Sequence, residues 1–227
     1  MAQRILIIAA HPDDEVLGCG GTIAKLAKAG AYIHVAFLAD GVFSRDGDLN
    51  SKMIELASRR SSAHDACKIL GVHSVSFGEF PDNKMDASIL LDVVKAVEEL
   101  VLKHNPDTLF THHCGDVNID HRRIHEAVVA ACRPQSGHSI KTILTFEVPS
   151  STEWQLPNSA PPFLPNYFID ISATLDQKLL ALDSYSTELR AWPHPRSREG
   201  VEHLSRWRGA TIGADAAEAF ILGRHIA

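Results

Sequence analysis

Paired cysteines are missing from this chain. Its four cysteines, Cys19, Cys67, Cys114 and Cys132, stand far apart with no CxxC spacing. That excludes a zinc-finger pattern and a dense disulfide framework. Buried thiols in a reducing compartment are expected, with Cys114 set apart by its place in a polar cluster. No apolar run approaches the roughly 20 residues that span a bilayer. The opening residues lack the length and cleavage context of a secretory signal, so a cytoplasmic protein without membrane insertion is expected. Basic excess is absent too: 22 Lys and Arg face 28 Asp and Glu, a formal charge of −6. That balance argues against a nucleic-acid surface. Nor is there a GxGxxG fingerprint, because Gly18-Cys19-Gly20-Gly21 follows an acidic segment; a dinucleotide binder is therefore disfavoured. No repeat or low-complexity tract breaks the chain, and 227 residues suffice for one substantial core.

What is present is an alternation of strand and helix patterns. Residues 4–10 read as a buried strand, then a glycine-rich turn, then a helix from about Gly20 to Ala29. Ile33 to Leu38 is a second strand, and residues 40–48 read as a loop. Lys52 to Leu70 has helical spacing, with Met53, Leu56, Ala63, Ala66, Cys67 and Leu70 on the inner side and Gly71 as its stop. Strands around 74–77, 107–111, 142–146 and 167–171 alternate with helices at 89–103, 120–132 and 176–189. The proline-rich stretch 157–165 reads as a loop within the domain. The expected fold is a single Rossmann-like α/β domain over 1–227, its mostly parallel sheet covered by helices on both faces.

Two polar clusters follow apparent strands. The first is His11-Pro12-Asp13-Asp14-Glu15; the second is His112-His113-Cys114-Gly115-Asp116-Val117-Asn118-Ile119-Asp120-His121, with His125 one helical turn later. Carboxylates crowded at a strand end are costly unless a cation or substrate offsets their repulsion. In a parallel sheet both clusters can project from the same edge. Two imidazoles, one carboxylate and an open water position suit zinc or another divalent transition metal better than magnesium. A further carboxylate nearby can take a proton from the attacking water. The adjacent His112 and His113 diverge if both keep strand geometry.

With these motifs the chain resembles the zinc-dependent N-acetylglucosaminyl deacetylase family, also called PIG-L or LmbE-like. His11-Pro12-Asp13-Asp14-Glu15 matches the family's opening motif completely, and Asp120-His121 resembles its second metal motif. The resemblance implies His11, Asp14 and His121 as Zn2+ ligands and Asp13 as general base. It extends over nearly the whole chain, with Arg208-Gly209 and Ala217-Glu218-Ala219-Phe220 as weaker family features. It also implies that the C-terminal segment, about 185–227, completes the substrate pocket. Arg59 corresponds to a family arginine associated with substrate binding; its structural alternative is a solvated arginine beside Arg60. Asp116 either binds a sugar hydroxyl or stabilises its loop. Asp120 either orients His121 or caps a helix, and Glu15 either caps or orients the helix it opens. For His125 a supporting place is favoured over a fourth ligand. His113, His194, Arg196, Trp192 and Trp207 are candidate lining for a sugar site, with core packing as the alternative for either tryptophan.

One departure stands out. The family commonly has His-x-Asp-His at the second motif, where this chain has Asn118-Ile119-Asp120-His121. Asn118 can donate a hydrogen bond to an oxyanion but is no acid. His194, in Trp192-Pro193-His194-Pro195-Arg196, is the expected proton donor to the leaving amine, with His113 next. The implied reaction is hydrolysis of an N-acetylglucosamine-like sugar or conjugate to acetate and a free amine. Its rivals are a broader metal-dependent amidase or thiol-conjugate hydrolase, and a carbohydrate-binding protein without turnover. No organic cofactor is required, and a homo-oligomer is compatible with the sequence.

Overall fold

The computed structural model describes residues 2–44 and 46–227. In chain order the elements are β1 (Arg4–Ala9), α1 (Asp14–Lys28), β2 (Tyr32–Ala39), α2 (Leu49–Leu70), β3 (Ser74–Phe80), α3 (Leu90–His104) and β4 (Thr108–His112). They continue through α4 (Ile119–Ala131), β5 (Thr142–Phe146), β6 (Tyr167–Asp170), α5 (Leu175–Asp183), α6 (Arg198–Ala210) and β7 (Ala217–His225). All strands join one sheet in the order β3-β2-β1-β4-β5-β7-β6. The first five pair in parallel, and β7 runs antiparallel between β5 and β6.

Side-chain alternation along β1 explains the two covered faces. Ile5, Ile7 and Ala9 enter one apolar cluster with residues of α1, α2, α5 and α6. Leu6, Ile8 and Ala10 enter the other, with residues of α3 and α4. A strand buried on both faces reads as an unbroken apolar run, as Ile5-Leu6-Ile7-Ile8 does. From β3 at the sheet edge the chain crosses back to place β4 beside β1. The β1/β4 border is therefore the point where strand order reverses, and a crevice opens beyond the strand carboxyl ends there.

The helices differ from the sequence pattern in three places. Helix α1 starts at Asp14, directly after the acidic motif, so the glycines expected to form a turn lie inside it. They serve close packing instead: a Cβ at Gly18 would overlap the Phe146 ring, and one at Gly21 would stand 2.6 Å from Ile171 Cδ1. Helix α2 starts earlier than expected, capped by Asp48 accepting the Ser51 N–H at 3.1 Å, and Met53 is exposed rather than inward. It does end at Gly71, whose φ of 81° is easy only for glycine. Helix α5 stops at Asp183, and α6 and the antiparallel β7 lie in a tail whose pattern identified neither.

A buried ion pair repairs a break in α1. Backbone geometry at Cys19 (φ −150°, ψ 22°) interrupts the helix and leaves orphan N–H groups beyond it. The Glu218 carboxylate, reaching in from β7, accepts the Gly21 and Thr22 N–H groups at 2.9 and 2.7 Å. Lys178 of α5 donates to Glu218 at 2.5 Å and to the Leu17 carbonyl at 3.0 Å. Both ends of the break are thus satisfied by one charge pair. Among the described residues no helix is long and apolar enough to cross a membrane.

Two stability predictions arise from these contacts. Glu218→Ala strands the Lys178 charge and should cost about 3–5 kcal/mol in urea unfolding; a loss below about 1 kcal/mol would reject the brace. Separately, His34 in β2 is buried, bonded to Ser74 and Ser76 at 2.7 and 2.9 Å and stacked on His104. Burial, reinforced by His104 and Lys103, lowers its pKa from 6.5 to about 4. Between those values the unfolded chain takes up a proton that the fold refuses, so stability is present above pH 6.5 and lost towards pH 4. His34→Gln should therefore show a shallower fall in urea midpoint over that window than the wild type.

Candidate metal centre

All five parallel strands deliver residues to one cleft of about 440 Å³ at their carboxyl ends. Beyond β1 come His11, Asp13 and Asp14; beyond β2, Gly41 and Ser44; beyond β3, Asp82 and Asn83. Beyond β4 come Asn118 and His121, and beyond β5 come Ser150, Ser151 and Trp154. Arg59 of α2 and Arg196 from the segment before α6 complete the lining.

Three of these side chains converge. His11, Asp14 and His121 are buried and offer ligand atoms within 4.8 Å of one another. Asp14 Oδ2 lies 3.5 Å from His11 Nδ1 and 3.3 Å from His121 Nε2. Ligands about 2.1 Å from a tetrahedral ion stand about 3.4 Å apart, so the spacing suits zinc. Both ring nitrogens of His121 are buried without a hydrogen-bond partner, and Nε2 is the one that faces Asp14, so a cation there would satisfy an otherwise orphaned atom. The donor set, two imidazoles and a carboxylate, therefore fits a divalent transition metal.

Each imidazole turns its other nitrogen to a carboxylate. His11 Nε2 meets Asp120 Oδ2 at 2.9 Å and Asp82 Oδ1 at 3.2 Å, while His121 Nδ1 faces Asp116 Oδ2 at 3.2 Å. Such partners fix ring orientation and strengthen the ligand. His11, Asp82 and Asp120 form a second close group through that other nitrogen. Asp120, however, already accepts the Asn83 and Met85 N–H groups at 2.7 and 3.0 Å, which marks it as a support for His11. The charges favour the ionised form of the groups on both sides. Burial disfavours a charged imidazole, yet Asp14 and Asp116 outweigh it and hold His121 up at about 9. Burial likewise opposes ionisation of Asp82, but contact with His11 takes it down to about 2. The cluster demands positive charge, from protons or from a cation.

Asp13 stands apart from the convergent three. Burial raises its carboxyl to about 6, against the pull of Arg196 at 3.2 Å and Arg59 at 3.7 Å. Its backbone is held at φ 117°, a conformation costly outside glycine. Glu15 Oε2 accepts the Asp13 N–H at 3.0 Å, while Tyr185 donates to Glu15 Oε1 at 2.7 Å. Glu15 thus orients the turn that displays Asp13 rather than simply capping α1. Glu188, buried, lies 3.5 Å from Arg59 and 4.0 Å from Arg196, so two carboxylates and two guanidiniums interlock.

Other expected residues make contacts of their own. Asp116 is fully buried, receiving Ser151 and Thr152 hydroxyls besides facing His121, so it supports the ligand and is not available to a sugar hydroxyl. His113 diverges from His112 and turns away from the cleft, bonding the Pro161 carbonyl at 2.9 Å. His194 does not line the cleft: its Nδ1 accepts the Arg196 N–H at 3.0 Å, and its ring stands edge-on to Trp154. Arg59 reaches the lining, but its donors go to the carbonyls of Pro12 and Gly41. Arg196 lines the cleft through its contact with Asp13. Asn118, not Asp120, caps α4, accepting the Asp120 N–H at 2.8 Å and donating to Asn83 at 3.1 Å. Trp192 and Trp207 are exposed outside the cleft.

Other participants had no role assigned from the sequence. His112 stacks on His121 with centroids 3.8 Å apart and accepts the Ala10 N–H at 2.8 Å, locking the ligand ring in place. Asp82, Tyr185, Glu188 and Trp154 carry no local motif. The available signal for Asp82 and Trp154 was their place just beyond a strand carboxyl end.

Alanine at His11, Asp14 or His121 should lower zinc content after dialysis, measured by elemental analysis, whereas Asp13→Asn should keep it. Asp116→Ala should weaken zinc about 10–100-fold. Full occupancy in all three ligand variants would reject the donor set.

Comparison with known proteins agrees with this geometry. Residues 6–132 match the family model described as PIG-L, GlcNAc-PI de-N-acetylase. The chain is 32% identical over 154 residues to the uncharacterized deacetylase YaiS of Escherichia coli K12, covering 66% of this chain and 76% of that protein. It is 28% identical to a 4-oxalmesaconate hydratase of Pseudomonas putida, covering 85% and 76%. The structure of N,N'-diacetylchitobiose deacetylase from Pyrococcus horikoshii superposes with a TM-score of 0.79 at 22% identity, over 98% of this chain and 84% of that one. Motif, sheet topology and sequence match coincide, and the chain belongs to the PIG-L family.

Proposed function

We infer that this protein is a metal-dependent N-deacetylase that hydrolyses an N-acetylated amino sugar or sugar conjugate. One observation carries the reading: a buried His2Asp donor set of tetrahedral spacing beside a separate carboxylate of raised pKa, in a cleft otherwise rich in neutral polar groups. His11, Asp14 and His121 would hold Zn2+. Bound there, the ion would polarise the acetyl carbonyl and acidify water.

The chain's own groups do the rest. Asp13, with a pKa near 6, is basic enough to take the proton of the attacking water and acidic enough to return it to the departing amine. That double duty fills the acid role for which His194 is badly placed. Asn118 carries two amide N–H groups, of which Asn83 takes one; the other is the oxyanion donor in this reading. Arg196 and Arg59 keep Asp13 aimed, and Glu188 offsets their charge. In this reading the segment 185–227 completes the pocket of a single catalytic domain through Arg196, with Tyr185 and Glu188 holding Glu15 and the arginines from behind. The products are acetate and a free amine.

Zinc-loaded protein and its Asp13→Asn variant should be compared on N-acetylated sugars, with acetate measured by mass spectrometry. Wild type should release acetate in a zinc-dependent manner, and Asp13→Asn should lower kcat about 10²–10⁴-fold. No acetate from a fully zinc-loaded wild type would overturn the reading; turnover of amides bearing other acyl groups, with release of their acids, would identify a broader amidase.

A further inference from the structure

We propose that Trp154 is a stacking platform that makes the cleft specific for a pyranose ring over an acyclic amide. This rests on the deacetylase reading and names the feature that selects its substrate class. Trp154 is 52% exposed although an indole gains most from burial, and it is the one tryptophan of three that lines the metal cleft.

The ring is exposed but held. It ends a single turn of 3-10 helix, Thr152–Trp154, whose Ser151 and Thr152 hydroxyls both donate to Asp116. Glu153 accepts the Ser150 and Ser151 N–H groups at 2.6 and 3.3 Å, closing the turn on itself. Asp116 in turn faces His121 Nδ1, so the turn bearing the indole shares an anchor with a metal ligand. His194 braces the ring edge-on, centroids 5.4 Å apart at 80°, and is itself tied to the Arg196 backbone. His194 is thereby a positioning residue for Trp154.

Elsewhere the cleft presents Ser44, Asn83 and Asn118, neutral groups that donate and accept. A pyranose has two kinds of surface: hydroxyls around its edge and C–H groups on its faces. A fixed indole suits the C–H face, and neutral amides and hydroxyls suit the edge. An acyclic amide has no such face. Rigid placement matters because a platform anchored to the metal-ligand support positions the acetamido group without further ordering.

The test uses two probes, N-acetylglucosamine and N-acetylethanolamine. In a Trp192→Phe/Trp207→Phe variant, both changes lying at exposed positions, Trp154 is the sole indole emitter. Its fluorescence should change saturably with the sugar and not with the acyclic amide, with or without zinc. In zinc-loaded protein, Trp154→Ala should raise KM for the sugar about tenfold with kcat within about threefold, and Trp154→Phe should restore most of the loss. An emission that ignores the sugar, or an equal loss of kcat/KM for both probes in Trp154→Ala, would overturn the platform. Acetate release without an emission change removes the platform alone. A sugar-dependent emission change without acetate release removes the deacetylase reading and leaves the platform; absence of both overturns both.

Discussion

Four buried carboxylates, Asp14, Asp82, Asp116 and Asp120, gather around two imidazoles at the point where the sheet reverses its strand order. Such a cluster is stable only with positive charge among its members. The arrangement is directional: each imidazole turns one nitrogen towards Asp14, where a cation can sit between them, and the other towards a supporting carboxylate. Helix α4, the β3–α3 turn and the β5–β6 connection are all fastened to that framework, through Asp120, Asn83 and Asp116 respectively.

Asp13 is held by a different logic. Asp13 sits in a backbone conformation that a lone tight turn would abandon, and it is retained because Glu15, Tyr185 and Arg59 each fix part of the loop. Two of its neighbours, Glu188 and Arg196, lie about 180 residues away in sequence, with Arg196 bonded to it directly. The C-terminal segment therefore does more than close the fold. Through Arg196 and Glu188 it sets the charge around Asp13, and through Lys178 and Glu218 the later elements also hold the helix behind it.

The centre of the sheet was legible because burial on both faces leaves its mark in those strands: Ile5-Leu6-Ile7-Ile8 and Thr108–His112 need no long-range information to be read. Helix α3 was legible for the same kind of reason, its valines recurring at helical spacing. Glycines misled at α1, because Gly18 and Gly21 look like a turn when their use is close contact with Phe146 and Ile171. Helix α6 and β7 were missed since polar capping and an antiparallel insertion are decided by partners distant in sequence.

By itself the sequence determined the chemistry available: a strand end bearing His11, Asp13 and Asp14, a second bearing His121, and no local motif for a dinucleotide or nucleic acid. Those are properties of residue type and short spacing, which survive without a fold. Tertiary structure decided the division of labour among them. Only packing tells that Asp116 backs His121, that His194 braces Trp154 instead of reaching the cleft, and that Arg59 is committed to backbone carbonyls. The reason is physical: a polar side chain's role is set by which partner meets it once water is excluded, and here those partners come from the ends of different strands.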